Sequence, residues 1–290
     1  MPPCLRNFFS AAETPRLSSD PRPIGVFDSG VGGLTVVRRL FELLPRESVS
    51  YFGDTARLPY GSKTRPTIIQ FSIENTRWLV EQGVKAVVVA CNTSTALALP
   101  ELQKKFNLPV IGVIEPGARA AARLTRSGRI GVIATRATAL SRAYSRALAG
   151  ISKKLIVTER SCPLFVPLVE EGWLDHAATR EVAREYLAPL VRRKVDTLVL
   201  GCTHYPLIRD VIQEVMGPNV RLIDSGEEAA AEARQVLRKS GALAGPRARA
   251  RHEYALSDLP GRFTEVGSRF LGRPLRHVRR VRHEDGAWKP

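Results

Sequence analysis

The sequence predicts two similar α/β domains with mostly parallel sheets and a ligand cleft between them. Three observations predict it. Apolar runs of strand length alternate with amphipathic helical stretches, the pattern of a layered α/β fold. The plan then begins a second time, with similar motifs in the same order. Finally, 290 residues that are 44% hydrophobic suffice for two cores.

The elements follow in order. PIGVFDS (23–29) reads as a strand ending in polar residues, and VGGLTVVRRLFELLP (31–45) as a glycine turn and a helix. SVSYFGD (48–54) is the second strand, and TIIQFSIENTRWLVEQG (67–83) a helix that closes at a glycine. KAVVVAC (85–91) is the third strand, STALALPELQKKF (94–106) a helix containing a proline, and LPVIGVIEP (108–116) the fourth strand. RIGVIATRAT (129–138) then echoes PIGVFDSG, and DTLVLGCTHYPLI (196–208) echoes KAVVVACNTSTAL. Ile24 precedes Cys91 by 67 residues and Ile130 precedes Cys202 by 72. GEEAAAEARQVLRKSG (226–241) is a late helix. The reading is a flexible extension over 1–22, a first domain over 23–116 completed by 224–290, and a second domain over 117–223.

Composition excludes several classes. No apolar run reaches the roughly 18 residues that span a bilayer, and the N-terminal stretch lacks the apolar core of an export signal. A protein of the cytoplasm with no membrane association is expected. Four cysteines in 290 residues are no disulfide framework. There is no CxxC pair, and Cys202 with His204 is too sparse for zinc, so no metal is expected. The net charge is +16, weighted toward the C-terminal segment. A basic tail can neutralise phosphates, but no aromatic–basic module accompanies it. Nucleic acid is therefore not the expected partner, and the charge reads as a solvated face that attracts anions. GVGG (30–33) does not fit the phosphate-loop pattern; its glycines are expected to allow a tight turn and close approach of a substrate.

The chemistry concentrates at two cysteines. VVVACNTST (87–95) and VLGCTHYPL (199–207) each end an apolar strand in a thiol. Ligands of open α/β sheets bind beyond the carboxyl ends of strands, so two facing halves would bring Cys91 and Cys202 to one cleft from opposite sides. Asn92, Thr93 and Ser94 are candidate helix caps after the first cysteine, as is Thr203 after the second, where Pro206 suits a first turn. Helix N-termini lower thiol pKa values. An ordinary thiol costs roughly 2 kcal/mol to hold as thiolate at pH 7. A lone cysteine at a strand end is usually a small buried residue. A matched pair with polar neighbours suits two proton-transfer bases on opposite faces of a flat carbanion better than one nucleophile or a disulfide.

At these residues the sequence resembles glutamate racemase, within the aspartate/glutamate racemase family. GVFDSGVGGLTV (25–36), YFGDTARLPYGSKT (51–64), ACNTSTA (90–96), PVIGVIEPG (109–117), LVEEGW (168–173), LGCTHYPLI (200–208) and LIDSG (222–226) carry the resemblance, over about residues 23 to 226. HEYALSDLPGRFTEVGSRFLG (252–272) is a weaker match. The resemblance implies two α/β domains with the site between them. It implies an isomerase that interconverts L- and D-glutamate without a cofactor, commonly as a homodimer, and supplies D-glutamate for peptidoglycan and the cell wall.

The resemblance also implies roles. Cys91 and Cys202 are the two proton donors and acceptors. Asp28 supports Cys91 and also binds substrate, and Ser29 touches the substrate. Tyr60 and Gly61 offer backbone groups. Asn92 and Thr93 bind the α-amino and α-carboxylate end, with Thr203 and His204 opposite. His204 assists Cys202, and Glu170 holds that histidine. Thr135 and Thr138 contact the side-chain carboxylate. Asp54 matches a further family carboxylate of less defined role. Each has a plainer reading: Asp28 as a turn cap, His204 as a satisfied polar group, Tyr60 as packing. An aspartate or hydantoin racemase is the nearest rival, and a nucleic-acid-binding or thiol redox protein the rivals from other classes.

Overall fold

The computed structural model describes residues 19–259, 261–284 and 286–289. The first half alternates strictly: β1 (Ile24–Asp28), α1 (Leu34–Leu43), β2 (Val49–Gly53), α2 (Arg65–Glu81), β3 (Ala86–Val89), α3 (Asn92–Lys105), β4 (Val110–Gly112) and α4 (Ile114–Leu124). The second repeats the plan with β5 (Arg129–Ala134), α5 (Arg136–Ser141), α6 (Ala143–Ile151), β6 (Ile156–Ser161), α7 (Phe165–Glu170) and α8 (Ala177–Arg192). It continues through β7 (Thr197–Gly201), α9 (Arg209–Met216), β8 (Arg221–Asp224) and α10 (Ser225–Lys239). The chain then forms β9 (His252–Leu256), α11 (Phe263–Leu271), β10 (Val278–Arg280), β11 (Arg282–Glu284) and β12 (Ala287–Lys289).

The repeat seen in the sequence is a repeat of topology. The first sheet runs β10-β9-β2-β1-β3-β4 and the second β6-β5-β7-β8. In each, the first strand of the half sits inside, its second strand pairs on one side, and its third and fourth follow on the other. All pairings within these sheets are parallel. Strand order therefore reverses beside β1 and beside β5, and crevices open at such switch points. Strands β1, β2, β3 and β7 are buried throughout. Helices on both faces of a parallel sheet leave no wet side, which is why these strands read as continuous apolar runs.

Several boundaries differ from the sequence reading. The fourth strand ends at Gly112, and Ile114-Glu115-Pro116 opens α4. A proline is tolerated in a first helical turn, whose N–H groups have no partner within the helix. The helix after GVGG starts at Leu34. Cys202 leads not into an α-helix but into a 3-10 turn, Tyr205–Ile208, with Pro206 at its start. Asn92, Thr93 and Ser94 are not caps. They lie inside α3 with Cys91 itself at the N-cap position, and no side chain caps that helix or the 3-10 turn after Thr203.

Residues 1–18 of the expected flexible extension lie outside the described residues. Just after them, the Asp20 carbonyl accepts a 2.7 Å hydrogen bond from Lys85 Nζ. Lys85 also forms a buried 2.5 Å ion pair with Glu47. The late segment returns to the first sheet, where β9 pairs with β2 in the register Val49↔His252. Helix α10 packs against α1 and α4. Its start is capped by Asp224, which accepts from the Gly226 N–H at 2.9 Å. Among the described residues no helix is long and apolar enough to cross a membrane.

Candidate active site

The carboxyl ends of the two inner strands and their third-strand neighbours meet at one cavity of about 460 Å³. That volume suits a small molecule. From the first half it is lined by Asp28 at the end of β1 and Ser29 just after it, Tyr60 and Gly61 in a 3-10 turn, and Cys91, Asn92 and Thr93 at the start of α3. The second half contributes Thr135 after β5, Glu170 at the end of α7, and Cys202, Thr203 and His204 after β7. Cys91 and Cys202 hold equivalent places in the two sheets, each just beyond the third strand of its half. Both are buried free thiols. A wider groove of about 830 Å³ lies between the end of α1, α4 and α10, and carries none of the residues singled out in the sequence.

The two thiols have different surroundings. Cys91 Sγ lies 3.7 Å from Ser29 Oγ. Full burial, with the Asp28 carboxylate nearby, pushes the Cys91 thiol up to about 11. The expected lowering by a helix N-terminus is thus overturned at Cys91: desolvation and a neighbouring negative charge outweigh the partial charge of α3. Holding Cys91 as thiolate at pH 7 costs about 5 kcal/mol on that value, so it rests as a thiol. Asp28 is itself buried, which raises its carboxyl against the opposing effects of charged His204 and the Gly30 N–H. That N–H donates to Asp28 Oδ2 at 3.0 Å.

Cys202 has an imidazole partner instead. Its Sγ lies 3.8 Å from His204 Nδ1, and His204 Nε2 lies 2.8 Å from Glu170 Oε1. Burial alone would depress the imidazole, but its hydrogen bonds to Cys202 and Glu170 outweigh burial and raise it to about 10. His204 is therefore an imidazolium at neutral pH, with a negative partner on Glu170 and a sulfur on its other side.

Contacts across the cleft fix the polar wall. Thr93 Oγ1 lies 3.1 Å from both Thr135 Oγ1 and Thr138 Oγ1, and those two are 3.1 Å apart. Thr138 is the fully buried corner of this triangle and, contrary to the expectation for it, does not itself line the cavity. Tyr144 Oη donates to Asn92 Oδ1 at 2.7 Å, so the second half orients the Asn92 amide. Thr35 Oγ1 donates to the Thr203 carbonyl at 3.0 Å.

Of the GVGG glycines, Gly30 lines the cavity, where a substrate would approach it, while Gly32 and Gly33 serve a packing need that was not expected. A Cβ on Gly32 would lie 2.1 Å from Thr203 Oγ1 and 2.7 Å from the His204 ring, and one on Gly33 would lie 2.5 Å from Asp28 Cβ. Gly32 and Gly33 do not take positive φ. They are small because the Cys202 loop of the other half and the end of β1 press against them.

Asp54 lies behind the cavity, fully buried, where it accepts from Tyr60 Oη and Arg57. The sequence reading passed over Leu58, Pro59, Ser62, Arg136, Pro163, Val166 and Pro167, all of which line the cavity. Arg136 is exposed and has no ion-pair partner among the described residues. Its place directly after the strand-end Thr135 was the available signal. The prolines and Val166 gave none, since only the fold brings them to the opening.

The switch points of the two α/β halves share one cavity, to which each half brings a thiol. Residues 24–233 match the Asp/Glu/Hydantoin racemase family, and the chain belongs to it. Among its relatives is a glutamate racemase of Geobacter metallireducens, 50% identical over 260 residues that cover 90% of this chain and 96% of that one. A glutamate racemase isoform from Bacillus anthracis superposes with TM-score 0.86 at 38% identity, covering 92% of this chain and 98% of that one. The glutamate racemase of Francisella tularensis, solved in complex with D-glutamate, gives TM-score 0.84 at 38% identity, covering 89% and 97%.

Proposed function

We propose that the protein interconverts L- and D-glutamate without a cofactor, using Cys91 and Cys202 as opposed proton-transfer groups. The observation that carries this reading is the placement of both thiols, from equivalent strand ends of the two halves, on one cavity. The relatives named above support glutamate over aspartate or hydantoins. In this reading the product feeds peptidoglycan synthesis.

The asymmetry of the two thiols suggests how the first proton moves. Cys91 rests protonated, and the imidazolium of His204 stands beside Cys202, the side suited to carry a thiolate. That thiolate takes the α-proton from one face of glutamate. Cys91 then delivers its proton to the opposite face, and the roles exchange for the reverse reaction. An α-proton beside a carboxylate is a very weak acid, so positioning and electrostatics each supply several kcal/mol. The N-terminus of α3 directs partial positive charge at the cavity. Ser29, Asn92, Thr93 and Thr203 hold the amino-acid end, and Thr135 meets the side chain with Thr138 behind it. Burial of Cys91, with Asp28 beside it, keeps its proton in place until a carbanion is there to receive it.

Circular dichroism of L-glutamate with purified protein and no added cofactor tests this. The signal is expected to decay to zero, and L-aspartate to keep its signal. Cys91→Ser and Cys202→Ser are each expected to lower the rate at least 10³-fold, the scale of losing a positioned acid or base. A serine variant that racemises at the wild-type rate overturns the two-thiol mechanism.

A further inference from the structure

We propose that the hairpin formed by β11 and β12 positions the substrate-binding turn at Tyr60–Ser62, with Trp288 as the positioning residue. The inference rests on the glutamate reading above and concerns a segment far from the thiols in sequence. Trp288 is 6% exposed. Its indole Nε1 donates to Asn75 Oδ1 at 3.1 Å. The same oxygen accepts from Arg57 Nη2 at 3.0 Å. With its oxygen held by two donors, the Asn75 amide can only direct its nitrogen the other way, and Nδ2 donates to Tyr60 Oη at 3.1 Å. Tyr60 Oη in turn donates to Asp54. Two hydrogen bonds thus lead from the indole to the phenol of a residue that lines the cavity.

Arg57 ties the same parts together a second way. Its guanidinium lies between the rings of Phe71 and Trp288, 3.8 and 4.5 Å from their centroids. It also binds Asp54 at 2.8 Å and pairs with Glu74. His283, opposite Trp288 in the hairpin register, meets the indole edge-on at 4.7 Å and lies 3.4 Å from Glu74. Next along the turn, Gly61 sits so close to Thr135 that an added Cβ would lie 3.3 Å from the threonine Cβ. A shift of the Tyr60 ring would therefore move the wall that meets the second half. A hairpin needed only to cover the apolar cluster around Phe52 and Trp78 would call for the indole ring, not for its N–H. The bond to Asn75 is what gives the hairpin a part in the site.

The test is a double-mutant cycle between Trp288→Phe and Tyr60→Phe, read as glutamate KM, kcat and thermal midpoint. Trp288→Phe keeps a ring and removes the donor. It is expected to raise KM about 3- to 10-fold, the scale of one hydrogen bond, with kcat within twofold of wild type. In the Tyr60→Phe background, Trp288→Phe is expected to add less than a twofold further rise. Equal KM rises in both backgrounds overturn the inference, as does an unchanged KM with only a lower midpoint. Trp288→Ala would open a cavity in a buried cluster, whereas Trp288→Phe keeps the packing and leaves the test readable. A wild-type protein that leaves glutamate untouched would sink the proposed function instead. The midpoints would then decide the inference, non-additive shifts supporting the link and additive shifts overturning it.

Discussion

Gly32 has no room for a methyl group. The 2.1 Å approach of an added Cβ to Thr203 Oγ1 would drive the Cys202 loop away. Displacing a reacting group by an ångström can cost about 10²-fold in rate. Gly32→Ala is expected to lower kcat/KM by about that factor while the protein stays folded, as a melting curve would verify. A variant with wild-type kcat/KM would show that the loop adjusts without consequence. His204 offers a test by pH. Its raised pKa, about 10, means that the folded state holds this proton more tightly than the unfolded chain, at about 6.5. The stabilisation is therefore full below about pH 6.5, declines as pH rises, and is gone above about 10. Thermal melts of wild type and His204→Gln across pH 6 to 10 should show a stability gap that narrows as pH rises. A gap that stays level above about pH 7 would mean the imidazole is buried neutral. These details were half legible. The cysteines, His204 and Glu170 stood out by motif, but the rise of the Cys91 thiol did not, because burial and the proximity of Asp28 arise only on folding.

Elements are held by contacts that no local pattern announces. Lys85 and Glu47 form a buried pair with side chains 1% and 3% exposed. Lys85 also reaches the carbonyls of Asp20 and Ala242, at 2.7 and 2.8 Å. Glu47 accepts from the Ala244 N–H at 2.6 Å. One charged pair thus ties the start of β3 to the loop before β2 and to the segment after α10. Lys85→Met leaves a buried carboxylate without its cation and is expected to cost about 3–5 kcal/mol of stability, measurable by urea unfolding. A loss under 1 kcal/mol would show that water reaches the site. Strand and helix types were legible from periodicity, while boundaries were not. VIGVIEP reads as one apolar strand, yet half of it begins α4, because a short apolar run does not distinguish a strand from the first turn of a buried helix. The turn after Cys202 tightened to 3-10 where Pro206 starts it.

The whole molecule repeats one plan twice, and that was legible because the repeat is carried by motif order and by spacings of 67 and 72 residues. What joins the halves was not. The Thr35–Thr203 and Tyr144–Asn92 bonds span 168 and 52 residues, and Trp288 meets Asn75 across 213. Such pairings leave no trace in composition or periodicity. The central claim is that two thiols work from opposite faces, and the isotope content of early product tests it most directly. L-glutamate would be incubated with the protein in deuterium oxide and both enantiomers examined at low conversion. With two opposed groups, one keeps the abstracted proton while the other supplies solvent deuterium. The D-glutamate formed should therefore carry deuterium at Cα while the remaining L-glutamate does not. Equal labelling of the two enantiomers from the first turnovers would mean a single group serves both faces, and would contradict the account.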